Sequence, residues 1–216
     1  MPEISLTDFV DFVIKAGSPK LTKVRDIISR GEYSPALDFW KAAREHISEF
    51  HRDTIDLGVL GEPVHSRKKQ RYDAAFAGYK KFLRRVGNPS YFAPPSERWT
   101  SSGLVVRVNP EVGLLVNNKR HAIKLYFKDE EPTKHRLHAV LELMRISLKK
   151  GRFEDMIVAV LDVAKSKLIT ADRKDPGFAI LLAAEAQAFM AIWNSLMEER
   201  NQSQLGSDLH KIPTSS

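Results

Sequence analysis

Residues 104–128, LVVRVNPEVGLLVNNKRHAIKLYFK, constrain the fold more than any other stretch. Val105, Val106 and Val108 read as a strand, and Pro110-Glu111 interrupts it because proline has no N–H for a ladder. Gly113 to Val116 resumes extended structure, and Arg120 to Lys128 runs back. In that last run His121, Ile123, Leu125 and Phe127 alternate with Ala122, Lys124, Tyr126 and Lys128, the two-residue period of a strand with unlike faces. Asn117-Asn118 tolerates the positive φ of a tight turn, so the two runs are expected to pair as a hairpin. Ile123, Leu125 and Phe127 then share a buried face.

The hairpin sits in a chain of 216 residues, long enough to bury a sizeable core. The absence of cysteine excludes disulfides, thiolate metal sites and thiol nucleophiles. MPEISLTDFV lacks a basic segment followed by an apolar run, so no signal peptide is expected. The strongly apolar stretch Phe178 to Trp193 is broken by Glu185 and Gln187 and is expected to be too short for a bilayer. These features predict a soluble, cytoplasmic protein with no membrane partner.

The first half reads helical. Ser5 caps one helix, stopped near Gly17, and a short helix follows over 20–29. Ser34-Pro35 starts a long helix reaching Arg52. The next helix, Arg67 to Val86, puts Tyr72, Ala75, Phe76, Tyr79, Phe82, Leu83 and Val86 on one stripe. Residues 57–66 read as a connection and 88–102, rich in proline and serine, as an ordered loop. Thr133 caps a helix ended by Gly151. The β-branched run 156–163 reads as a buried strand with a return at 168–170, a helix over 156–170 being the alternative. Asp175-Pro176 opens a last helix to about Glu199. The expected fold is α/β (α+β), a small mixed sheet flanked by helices. Its parts are a helical N-terminal region (1–87), an α/β region (88–200) and a disordered tail (201–216).

Pro110-Glu111 followed by Lys124 on the next strand resembles the restriction-endonuclease-like PD-(D/E)XK nuclease superfamily, over roughly residues 100–165. The resemblance implies that Glu111 holds Mg²⁺ and that Lys124 positions or activates the attacking water. It also implies a second acid at position 122, where this chain has Ala122. One carboxylate holds Mg²⁺ poorly. Asp162, on the later strand, is the candidate substitute metal ligand, with Glu45 and Glu49 on the long helix as further possibilities. A glutamate opposite a lysine on a hairpin is also an ordinary cross-strand pair.

Charge supplies the second signal. Residues 67–85 hold eight Lys and Arg against Asp73 alone, which accounts for the whole net charge of +7. Arg67, Lys68, Arg71, Lys80, Lys81, Arg84 and Arg85 are the candidate phosphate contacts, sequence-independent in character. No phosphate-binding glycine loop or nucleophile elbow is present, and His135 with His138 lacks further metal ligands. These features predict binding of DNA or RNA, with a divergent or degenerate metal-dependent nuclease as the catalytic version. The competing class is a non-catalytic interaction or scaffold domain whose basic helix meets an acidic protein partner.

Overall fold

The computed structural model describes residues 1–30, 38–53, 56–57, 66–87, 89–128, 130–170 and 175–209, with the backbone alone for 66–68 and 203–209. The chain is mixed α/β, with six helices and two mixed sheets among the described residues. Strand β1 (Glu3–Ser5) leads into α1 (Leu6–Val13), followed by α2 (Ser18–Arg30), α3 (Lys41–Asp53) and α4 (Ser66–Val86). Strands β2 (Ser90–Phe92), β3 (Glu97–Ser101), β4 (Leu104–Val108), β5 (Val112–Val116) and β6 (Lys119–Tyr126) come next. Then follow α5 (Lys134–Leu148), β7 (Ile157–Asp162), β8 (Lys167–Thr170) and α6 (Pro176–Leu209). The expected helix start at Ser34-Pro35 and most of the connection 57–66 lie outside the described residues. Among the described residues the long helix expected to run from there begins only at Lys41, since 39–40 form a turn.

Helix starts follow side-chain chemistry. Ser5 accepts a hydrogen bond from the Asp8 amide (3.0 Å), Thr133 from Arg136 (3.2 Å) and Asp175 from Phe178 (3.0 Å). Asn117 and Asn118 take φ values of 50° and 58° at the β5–β6 turn, as the hairpin requires. The β-branched run 157–162 is strand β7, which settles the strand-or-helix alternative in favour of the strand.

Among the described residues two sheets form, ordered β1-β4-β3 and β2-β5-β6-β7-β8. The chain changes sheet at Asn109-Pro110-Glu111, between β4 and β5. β5 pairs antiparallel with β6, and β6 pairs parallel with β7 across the α5 connection. The parallel pair needs cover on both sides. Accordingly β6 has no solvent face over its centre: Ala122 packs in one core with residues of α1, α5 and α6, and Ile123 and Leu125 in another with α3 and α4. The expected buried face of Ile123, Leu125 and Phe127 is present, and on the opposite face Ala122 is fully buried while Lys124 and Tyr126 are half-buried.

Three expectations are corrected. Residues 88–102 are not all loop, since β2 pairs with β5 and β3 with β4. The N-terminal part is not purely helical, because β1 joins β4 in parallel. The last helix does not stop near Glu199: α6 runs 34 residues to Leu209. By length and composition its segment Pro176–Gln202, which contains an 18-residue window of mean hydropathy 1.4, is enough to cross a membrane. Here Leu182, Ala186 and Phe189 are fully buried against the body, while Ile180 and Leu181 are exposed.

Candidate functional site

Glu111 and Lys124 are brought together. The Lys124 ammonium donates to Glu111 Oε1 at 2.5 Å and to the Asn109 carbonyl at 3.2 Å. Glu111 Oε2 accepts from the Leu125 amide at 2.9 Å. Local backbone explains this placement. The Glu111 amide donates to the Ile123 carbonyl (3.1 Å), extending the β5–β6 ladder by one residue beyond Val112. Helix α3 locks the same turn, since the Ser48 hydroxyl donates to the Glu111 carbonyl (3.0 Å). Arg44, one turn earlier, sits 3.8 Å from Glu111 Oε1 and ion-pairs with Asp38.

The pair lies in a cleft of about 600 Å³ between β1, α1, α2, the start of α3 and the β4–β5 junction. Its lining includes the acids Glu3, Asp8, Asp11, Asp38 and Glu111, and the bases Lys23, Arg30, Arg44, Arg107 and Lys124. These charges balance, and they are paired. Asp8 meets Lys23 at 2.9 Å and Arg30 at 3.0 Å. Burial pushes the Asp8 carboxyl up, but Lys23, Ser5 and Arg30 together hold it below the usual carboxylate range. Asp11 meets Arg136 at 2.6 Å, and Glu3 meets Arg98 at 3.4 Å and Arg107 at 3.6 Å.

The donor set does not suit Mg²⁺. Both Glu111 oxygens already accept hydrogen bonds from this chain, and position 122 is a fully buried alanine. Asp162 shares the Ala122/Lys124/Tyr126 face of the sheet but pairs in register with Tyr126, and among the described residues it does not line the cleft. Its carboxylate instead accepts from the Lys165 amide (3.1 Å) and shapes the β7–β8 turn. Glu45 is exposed and pairs with Lys41. Among the described residues no group of three His, Asp or Glu is placed to hold a metal ion.

The basic helix presents its charge outward. Tyr72, Phe76, Tyr79 and Phe82 are buried, whereas Arg71, Lys80, Lys81, Arg84 and Arg85 are exposed. The side chains of Arg67 and Lys68 lie outside the described residues. Three of these five cations have local partners: Arg71 sits over the Phe39 ring (5.7 Å), Lys80 is 3.7 Å from Asp56, and Arg85 donates to the Ser166 carbonyl. Lys81 and Arg84 have no ion-pair partner among the described residues.

Helix α4 is fixed by close approach to the sheet. A Cβ at Gly78 would meet the Val163 carbonyl oxygen at 2.2 Å, and the Ser166 hydroxyl donates to the Gly78 carbonyl (2.8 Å). Its N-terminal half adjoins the cleft, since the Tyr72 hydroxyl donates to the carbonyl of Phe39, a lining residue. Sequence reasoning missed Arg44, Asp8, Lys23 and Asp38 as neighbours of the Glu111–Lys124 pair; nothing local in the chain signals their convergence.

No protein-family model matches this chain, and no match was found among curated proteins or solved structures.

Proposed function

We propose that this protein binds nucleic acid through the outer face of α4, and that it is a degenerate relative of the PD-(D/E)XK nucleases that holds its ligand without cutting it. The observation that carries the binding reading is the row Lys80, Lys81, Arg84 and Arg85. It is exposed on a helix whose apolar stripe is spent in the core, and Lys81 and Arg84 are uncompensated among the described residues. Charge left open in this way is attracted to phosphate backbones. The charge-balanced cleft offers a polyanion much less. The order β5–β6–α5–β7, with Glu111 and Lys124 side by side, supports the kinship. Ala122, and a Glu111 whose two oxygens are already occupied, support the loss of cleavage.

Labelled DNA and RNA, single- and double-stranded, test this, with polyglutamate as an acidic competitor. Saturable binding to nucleic acid that survives excess polyglutamate is expected. Equal or stronger binding to polyglutamate would favour the acidic-partner reading. With Mg²⁺ or Mn²⁺ present the probe should stay intact. Cleavage abolished by Glu111→Ala and Lys124→Ala would show an active nuclease instead.

A further inference from the structure

The fold assembles a second cationic surface from segments that are far apart in the chain. The start of β6 carries Lys119 and Arg120, and the segment just after α5 carries Lys149, Lys150 and Arg152. The Arg120 guanidinium donates to the Arg152 carbonyl at 3.1 Å, tying the two segments together. The parallel register, His121 opposite Ile157, sets both at the same end of the five-stranded sheet. Lys119, Arg120, Lys150 and Arg152 are exposed, and Lys149 is half-buried. Among the described residues none of the five has an acidic partner. Glu154 and Asp155 follow in the same loop and leave a net excess of three positive charges. Lys149 and Lys150 complement the carbonyls at the α5 C-terminus, which accounts for those two but not for Lys119, Arg120 or Arg152.

We infer that this end of the sheet is a second phosphate-binding surface for a nucleic-acid duplex, separate from α4. The inference rests on the nucleic-acid reading above and adds to it. An anionic membrane is the lesser fit. The only exposed large apolar side chain of the hairpin is Leu115, at 38% exposure, so little is available to insert between lipids. Duplex phosphates need only the charges and donors that are present.

The test uses the full chain and a mixed-sequence DNA duplex of about 30 base pairs, roughly 100 Å long, which gives both surfaces room to engage. Lys119 and Lys150 are exposed and have no acidic partner among the described residues, so Lys119→Glu with Lys150→Glu should leave the fold intact, as circular dichroism would verify. The slope of log affinity against log salt should become shallower by about two, and affinity at about 100 mM salt should fall about 10-fold or more. Wild-type binding with slope and affinity unchanged in the variant overturns this inference and leaves the α4 reading standing. No duplex binding by the wild type at about 50 mM salt removes both. Wild-type binding to phosphatidylserine vesicles but not to duplex, lost in the variant, overturns the assignment of nucleic acid as the ligand.

Discussion

The Lys124 ammonium closes on the Glu111 carboxylate at 2.5 Å, where the chain leaves one sheet for the other. The two side chains are only 19% and 11% exposed, so each depends on the other for compensation. Lys124→Met should therefore destabilise the fold by about 2 kcal/mol or more, because it leaves a largely buried carboxylate facing fewer cations. Adding Glu111→Leu should recover part of that loss. Chemical denaturation of the two single variants and the double variant measures the coupling, and simple additivity would show that the pair is not a unit.

The central strand gives a sharper test of packing. Ile123 is fully buried between β5 and β7. Ile123→Asp places an unpaired carboxylate in that core and should cost about 4 kcal/mol or more, enough to unfold many domains. A variant with unchanged denaturation midpoint would contradict the strand's position.

Gly78→Ala gains helix propensity of about 1 kcal/mol yet should destabilise. The added methyl would lie 2.2 Å from the Val163 carbonyl oxygen, and backbone on both sides must move apart. A net loss of about 1–3 kcal/mol is expected from overpacking. A more stable variant would contradict so close an approach of α4 to the end of β7.

Acid sensitivity should come in part from His51. Its Nε2 is 2.7 Å from the Tyr79 hydroxyl, and burial lowers its pKa from 6.5 to about 4. Burial also raises the Tyr79 pKa, so that hydroxyl stays protonated and pairs with the neutral imidazole. Because the folded pKa lies below the unfolded one, the unfolded chain binds more protons between these values. The contribution is complete above pH 6.5 and lost as pH falls toward 4. Thermal melts should show His51→Gln losing less stability than the wild type between those pH values. Parallel curves would contradict the assignment.

What was legible in the sequence was what neighbours in the chain decide. Alternation over 121–128 and two asparagines point to the β5–β6 hairpin, and with it to the meeting of Glu111 and Lys124. Strands β1, β2 and β3 escaped because they are three to five residues long and take their geometry from β4 and β5. Pro94 and Pro95 also made 88–102 read as loop. Helix α6 outran its expected end because 200–205 contains no glycine or proline to stop propagation. Arg44 reaches Glu111 from 67 positions away, and Arg120 meets Arg152 only through the fold, so neither neighbourhood left a local trace.

The most direct measurement is the affinity of the wild type and of Lys81→Glu with Arg84→Glu for a generic duplex as salt is raised. If about six phosphates are held, wild-type affinity should fall roughly 10³-fold between about 50 and 200 mM salt. The charge-reversed variant should be folded, bind at least about 10-fold more weakly at the lower salt, and show a slope shallower by about two. Binding indifferent to salt, or equally tight in a correctly folded variant, would contradict α4 as the nucleic-acid surface.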